Sequence, residues 1–285
     1  MLERAYVEIG NICNLSCSFC PGTQREPRQM AEAEFRAVCQ RLAGRVKFLY
    51  LHLMGEPLLH PGLDIFLKIM KEFDFKTCIT TNGTLLKERA SVLLKHSDAV
   101  HKVAISMHAP EGNRISGAID EYMNHVMDFA ESAAERGIFT VLRLWNLDSA
   151  EALGKNLQNA HIEKTLKARF PEQWQRRHKG YRLSRNIFLE YDGVFVWPSE
   201  SAAAESESGY CHGLTQQIGI LVDGTVVPCC LDSEGSVALG NIFENSLEHI
   251  LSSQRAKQIT EGFRCGKLTE PTCRKCTYAR RFKSK

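Results

Sequence analysis

Five short apolar runs, Tyr6 to Gly10, Phe48 to Leu53, Phe75 to Thr81, Lys102 to Met107 and Phe139 to Leu144, recur through the first half of the chain, and the segments between them read as helices. Glu32 to Leu42 puts Phe35, Val38, Cys39 and Leu42 on one helical face, and Asp120 to Arg136 is a longer helix stopped by Gly137. Repeated strand–helix units imply an α/β fold with a parallel sheet and right-handed crossovers. Such sheets take ligands at their carboxyl edge, where strand ends and following loops meet.

The loop after the first run carries the most specific chemistry. Cys13, Cys17 and Cys20 form a C-x3-C-x2-C triplet, which leaves one corner of a four-ligand metal site unfilled. Structural zinc sites usually close with four protein ligands, so three thiolates point to an iron–sulfur cluster whose last iron binds something else. Zinc remains the bland alternative, with a downstream cysteine as fourth ligand. Eleven cysteines would mean disulfides in an exported chain, but MLERAYVEIG lacks the apolar core of a signal sequence. No run approaches the roughly 20 apolar residues of a membrane span. These features predict a cytoplasmic protein whose clustered thiols are metal ligands and favour anaerobic conditions.

CNLSCSFC resembles the signature of the radical S-adenosylmethionine (SAM) superfamily, whose three cysteines hold a [4Fe–4S] cluster. The resemblance implies a partial (β/α)6 barrel, SAM chelated through its amino and carboxylate groups by the open iron, and reductive cleavage to a 5′-deoxyadenosyl radical. It also implies an external reductant such as flavodoxin or ferredoxin. Phe19 falls where the family places an aromatic beside the adenine. Met54-Gly55-Glu56-Pro57 resembles the GGEP segment that meets the SAM amino group, with Met54 replacing its first glycine and Gly55, Glu56 and Pro57 retained. Asn82 after the third strand, Ser106 at the end of the fourth and Arg143 in the fifth match positions that often contact SAM's ribose or carboxylate. Their bland readings are a hairpin-like turn at Asn82-Gly83, a satisfied strand hydroxyl and a surface ion pair. Cys39 and Cys78 read as small buried hydrophobes.

The pattern changes after Leu147. Asn156 to Arg169 reads as a helix, and Asn186 to Trp197 supplies Ile187, Phe188, Leu189, Val194, Phe195 and Val196 for further strands. The Ser/Ala/Glu-rich stretch after Trp197-Pro198 reads as a linker or a lid, dividing a barrel over 1–198 from a small α+β domain over 199–285. In the latter, Ile218 to Val227 is a hairpin signal centred on Asp223-Gly224, suited to a type I′ turn. Leu247 to Glu261 reads as one helix, with Asn245 and Glu248 at capping-box spacing. C-x12-G-x4-C from Cys211 through Gly224 to Cys229 resembles the opening of the SPASM/twitch extension of radical SAM enzymes. With too few cysteines for two further clusters, the likeness is to the shorter twitch form, one [4Fe–4S] cluster on Cys211, Cys229, Cys273 and Cys276. Cys230 and Cys265 leave that assignment open, because neighbours in a strand point oppositely.

The net charge of +3 conceals two basic stretches, Lys164 to Arg185 and Arg274 to Lys285. They read first as a solvated face and a basic tail, and second as a surface for RNA. The resemblance implies a radical SAM oxidoreductase acting on a small molecule or peptide, the second cluster accepting an electron. The alternatives are a tRNA-modifying enzyme and a non-catalytic cluster scaffold. Because the chain opens almost at the first strand, an N-terminal peptide-recognition domain is not expected. Oxidation needs a general base, for which Glu190, Tyr191, His52 and His108 are candidates, each more commonly a core or surface polar residue.

Overall fold

The computed structural model describes residues 2–113, 119–147, 158–193, 197–198 and 206–281. Among these described residues eleven strands form one sheet: β1 (Arg4–Val7), β2 (Phe48–Tyr50), β3 (Lys76–Thr81), β4 (Val100–Ser106), β5 (Phe139–Leu147), β6 (Gln175–Arg177), β7 (Gly180–Ser184), β8 (Ile187–Gly193), β9 (Gln217–Ile220), β10 (Thr225–Val227) and β11 (Gly240–Asn241). Among the described residues nine α-helices accompany them: α1 (Glu32–Leu42), α2 (Leu63–Glu72), α3 (Leu86–Lys95), α4 (Ala109–Gly112), α5 (Ile119–Glu135), α6 (Asn159–Arg169), α7 (Leu247–Ser252), α8 (Gln254–Arg264) and α9 (Pro271–Arg274).

The sheet order is β11-β10-β9-β1-β2-β3-β4-β5-β8-β7-β6. Strands β1 to β5 and β8 pair in parallel, the six strands of a partial (β/α)6 barrel. The C-terminal hairpin joins them edge to edge, since β9 pairs in parallel with β1 from Arg4↔Gln217 to Val7↔Ile220. A small C-terminal α+β portion thus extends the same sheet.

Alternation along each strand sorts the two faces. Ala5, Val7, Leu49, Leu51, Ile79, Val103, Ile105 and Leu142 are buried on the outer face, in the main core with Phe35, Val38, Leu67, Met70, Val126 and Ala130 of the covering helices. Full burial of each large side chain contributes about 1.5–3 kcal/mol, which commits the opposite face to the barrel lumen. That face carries Tyr6, Tyr50, His52, Thr80, Lys102, Ser106, Arg143 and Glu190.

Local details depart from the sequence expectations. The pairing of β2 stops at Tyr50, so Leu51 to Leu53 already belong to the site loop. The Asp223-Gly224 turn is not type I′: Gly224 alone takes positive φ (86°), and Leu221 and Thr225 close it through a Leu221 N–H bond. Residues 247–264 form two helices rather than one, each started by its own serine. Ser246 accepts from His249 N and Ser253 from Ala256 N, so Asn245 is not the cap. Strands β6 and β7 arise inside the basic segment, antiparallel to each other and to β8. Val194, Phe195, Val196, the start of the expected helix at Asn156 and residues 199–205 lie outside the described residues. Among the described residues no helix is long and apolar enough to cross a membrane.

Candidate functional site

The carboxyl edge of the parallel strands gathers the N-terminal thiols. Cys13 and Cys20 are exposed and Cys17 is half-buried. Burial raises the Cys13 and Cys17 pKa values, and the mutual proximity of the three sulfurs raises them further. Stable thiolates there need positive charge, which iron supplies. Two amides face the sulfurs: Asn113 Nδ2 is 3.1 Å from Cys17 Sγ and Asn82 Nδ2 is 3.9 Å from Cys13 Sγ. Asn113 Oδ1 also accepts Ser16 N–H at 2.9 Å, holding the thiol loop from the β4 side. Donors on cluster sulfurs tune potential and hold ligand geometry, so this donor set suits an iron–sulfur cluster.

The Gly55 loop is fitted to this edge by backbone contact. Gly55 has φ of 77°, and a Cβ there would lie 2.3 Å from Gly10 O. Glu56 is buried, and its carboxylate accepts Asn82 N–H at 2.8 Å and Leu58 N–H at 3.0 Å. The β2 and β3 loops are thereby joined, with Pro57 starting a single 3-10 turn. Asn82-Gly83 is no hairpin: it leads from β3 toward α3, and Gly83 packs where a Cβ would meet Tyr122 Oη at 2.9 Å. Tyr122 Oη donates to Asn82 O at 3.0 Å. Phe19 lies against His108 with ring centroids 4.8 Å apart.

Below this edge the lumen is polar. Ser106, Arg143 and Glu190 are register neighbours on adjacent strands. Arg143 is an interior group rather than part of a surface ion pair; its guanidinium lies 4.4 Å from the Trp145 ring centroid, and burial lowers its pKa. Lys102 Nζ lies 5.2 Å from the Tyr50 ring centroid, its pKa also lowered mainly by burial. His52 Nε2 is 3.3 Å from Thr80 Oγ1, and desolvation drives its pKa down to about 3. His108 falls to about 4 for the same reason. His52 Nδ1, Arg143 Nε and Trp145 Nε1 are buried without a hydrogen-bond partner. Such atoms are costly unless something satisfies them. Tyr191 occupies the other face, paired with Leu144, and donates to Glu163 of α6 at 2.9 Å. It is removed from the lumen bases.

The second thiol group sits on half-buried cysteines. Cys211, Cys229, Cys273 and Cys276 line one cavity walled by Val237 and Phe263. Cys230 instead packs with Tyr6, Leu53 and Met54, and Cys265 is exposed, its Sγ 3.2 Å from Glu261 Oε1. Desolvation pushes Cys211 up to about 11 and Cys229 well above its usual range, with neighbouring thiols adding to both. No three His, Cys, Asp or Glu side chains converge on a single-ion site among the described residues; the four thiols surround a space instead. Four thiols lining one space are a donor set of the kind that holds an iron–sulfur cluster. Cys39 and Cys78 are buried at 0% and 1% exposure, small core residues as expected.

Sequence reasoning missed Glu8, Arg25, Lys102 and Asn113. Glu8 is wholly buried, and Arg25 grips its carboxylate through both Nη atoms at 2.6 and 2.8 Å. Breaking such a pair costs about 3–5 kcal/mol, because one charge is left buried alone. A lone acid inside the apolar run Tyr6 to Gly10 was the available signal for Glu8; nothing local marked Arg25.

Two family models match: Radical SAM superfamily over residues 7–148, and SPASM, an iron–sulfur cluster-binding domain, over residues 211–277. The chain belongs to the radical SAM superfamily and carries a C-terminal SPASM domain; its cofactors are SAM and [4Fe–4S] clusters. Among curated proteins it is 30% identical over 125 residues to the S-adenosyl-L-methionine-dependent 2-deoxy-scyllo-inosamine dehydrogenase of Niallia circulans, covering 40% of this chain and 48% of that one. It is 22% identical over 274 residues to the sporulation killing factor maturation protein SkfB of Bacillus subtilis (strain 168), covering 89% and 65%. The matches thus span about half and just under two thirds of these relatives. Among solved structures, BtrN in complex with AdoMet and 2-DOIA aligns with a TM-score of 0.63 at 19% identity, over 97% of this chain and 93% of that one. Native anSMEcpe with AdoMet and the Kp18Cys peptide aligns at 0.63 and 12% identity, over 96% and 88%. At these identities the likeness is one of fold.

Proposed function

We propose that this radical SAM enzyme is an oxidoreductase that dehydrogenates a small polar molecule in the barrel lumen. The observation carrying this reading is the set of buried, unpartnered polar atoms on His52, Arg143 and Trp145. A lumen with unmet hydrogen-bonding capacity suits a substrate rich in hydroxyl or carboxylate oxygens. The similarity to an inosamine dehydrogenase supports the same reading.

In it, Cys13, Cys17 and Cys20 hold the first cluster, and Cys211, Cys229, Cys273 and Cys276 the second. When bound, the first cluster with SAM supplies a 5′-deoxyadenosyl radical, and the second cluster supplies an electron acceptor. Around them, Asn82 and Asn113 hold the thiolates, while Phe19, the Gly55-Glu56-Pro57 backbone, Asn82 and Ser106 shape the SAM seat. Glu56 acts mainly through position, because its carboxylate already accepts two backbone N–H groups. Arg143 faces the lumen and orients SAM's carboxylate or the substrate. Loss of a hydrogen atom from a carbinol carbon, a proton from its hydroxyl and one electron to the second cluster leaves a carbonyl. Glu190 is the lumen-face carboxylate suited to take that proton. His52 and His108, with pKa values near 3 and 4, hold a proton poorly, and Tyr191 lies on the outer face. A flavodoxin or ferredoxin would reduce the first cluster.

A peptide substrate is the second reading, favoured by the match to SkfB along 89% of this chain. RNA is not favoured: Arg169 pairs with Asp128 and Glu131, and Lys179 with Asp192, so part of the basic segment is already neutralised.

Anaerobic reconstitution tests the proposal. Wild type should bind about eight irons and release 5′-deoxyadenosine under reduction. Cys13→Ala, Cys17→Ala or Cys20→Ala should abolish release, whereas Cys273→Ala or Cys276→Ala should retain cleavage but lose product formation from polyhydroxylated and peptide panels. Equal loss of cleavage in both sets would defeat the division of labour.

A further inference from the structure

Glu8 is the most deeply buried carboxylate among the described residues, at 0% exposure. Its oxygens accept from three separate stretches of chain: Arg25 Nη1 at 2.8 Å and Nη2 at 2.6 Å, Met54 N at 3.3 Å and Val222 N at 2.9 Å. Those stretches are the first thiol loop, the Gly55 loop and the C-terminal hairpin. The guanidinium reaches further still. Arg25 Nε donates to Ser233 O at 2.8 Å, and Gln24 N donates to the Glu234 carboxylate at 3.2 Å. Arg25 lies five residues after Cys20, and Ser233 four residues after Cys229. Next to Ser233, the Asp232 carboxylate holds Ser236, whose Oγ is 2.9 Å from Thr272 Oγ1, the neighbour of Cys273.

We infer that the Glu8–Arg25 ion pair is a positioning element that ties the two thiol-bearing loops together and fixes their separation. The inference deepens the proposed function and rests on it for the passage of the substrate electron to the second cluster. A buried ion pair contributes little net stability compared with apolar residues of the same volume. A guanidinium fork, however, fixes both distance and angle, because its donors lie in one rigid plane. Here one edge of the plane is spent on Glu8 and the remaining Nε on the second loop. Electron transfer between centres falls steeply with distance, so a gap held by this fork sets how fast a substrate electron reaches the second cluster.

Arg25→Lys separates this role from simple charge burial. Lysine keeps a cation for Glu8 but cannot also bond Ser233 with fixed geometry. In the metal-free protein, amide exchange should speed together in residues 21–27 and 230–235, by about tenfold or more, while the strands β2 to β5 keep their protection. In protein reconstituted to wild-type iron content and reduced with dithionite, the spin–spin interaction between the two clusters should weaken or spread. Glu8→Gln should move the same two segments, because a neutral amide grips Arg25 less firmly. Unchanged exchange and unchanged spin interaction in Arg25→Lys would overturn the inference. So would loosening of 21–27 alone, or loss of native circular dichroism in both variants, since the pair would then serve one loop or the whole fold. Should wild type show the spin interaction yet oxidise no substrate, the proposed reaction fails and this inference stands.

Discussion

The two thiol groups are held by opposite means. The N-terminal set sits on a loop at the sheet's carboxyl edge, two of its three cysteines exposed, with side-chain amides from β3 and β4 loops turned toward its sulfurs. The C-terminal set lines a cavity walled largely by apolar residues, among them Val237, Leu268 and, from the self-capped α8, Phe263. The difference teaches what each can do. In the proposed reading, an exposed three-thiol site with polar neighbours leaves room for a ligand on an open iron, whereas a four-thiol site lining a cavity would pass electrons and keep substrate out.

The largest test of that contrast, after the cysteine variants, removes the amides. Asn113→Ala and Asn82→Ala delete the donors aimed at Cys17 and Cys13. Partners of metal ligands typically matter by about tenfold to a hundredfold, so SAM cleavage should fall by about that factor. The spectrum of the C-terminal cluster should stay as in wild type. Electron paramagnetic resonance of the reduced double-cluster protein reads both at once. A shift in both spectra would mean that the two sites share one environment.

A smaller effect lies in pH. His52 and His108 are lowered by burial to about 3 and about 4. Each therefore contributes stability that is present above the unfolded value of about 6.5 and is lost as pH falls toward the folded value. The C-terminal thiols run the other way. Cys211 and Cys230 are raised by burial to about 11 and about 12, so their contribution is complete below about pH 8.5 and fades as pH rises through the folded values. Metal-free protein should thus lose stability at both ends, each group giving at most about 1.4 kcal/mol per pH unit within its window. Urea melts from pH 4 to 10 check this. His52→Phe should flatten the acid limb and leave the alkaline limb alone.

How much of this was legible in the sequence follows from range. The strand–helix alternation, the C-x3-C-x2-C loop, the Gly55-Glu56-Pro57 segment and the hairpin at Ile218 to Val227 are local patterns, and each element formed. The edge-to-edge pairing of β9 with β1 was not legible, because a parallel partner some two hundred residues away leaves no periodic trace. Arg25 had no local mark for the same reason, and Glu8, though a lone acid in an apolar run, draws its meaning from Met54, Val222 and Arg25, which only the folded sheet brings together. Which of the six C-terminal cysteines share a cavity likewise shows only in the fold, where Cys230 packs against Tyr6 and Cys265 is exposed.

The least of the expected effects concerns how the C-terminal region starts its helices. Sequence spacing favoured Asn245 as the cap of one long helix, yet Ser246 Oγ accepts the His249 N–H at 3.2 Å and Ser253 Oγ the Ala256 N–H at 3.3 Å. Serine wins because its short side chain folds back onto the third residue of the turn, while the extended backbone at Ser253 ends one helix and begins the next. Ser246→Ala and Ser253→Ala should each cost about 1 kcal/mol in a urea melt, and Asn245→Ala close to nothing. Because these caps act locally, the loss should leave the N-terminal cluster's SAM cleavage at wild-type rate. A cap variant that slowed cleavage would show that the C-terminal site's scaffold bears on the open one, and the contrast between self-capped and sheet-edge construction would have to be given up.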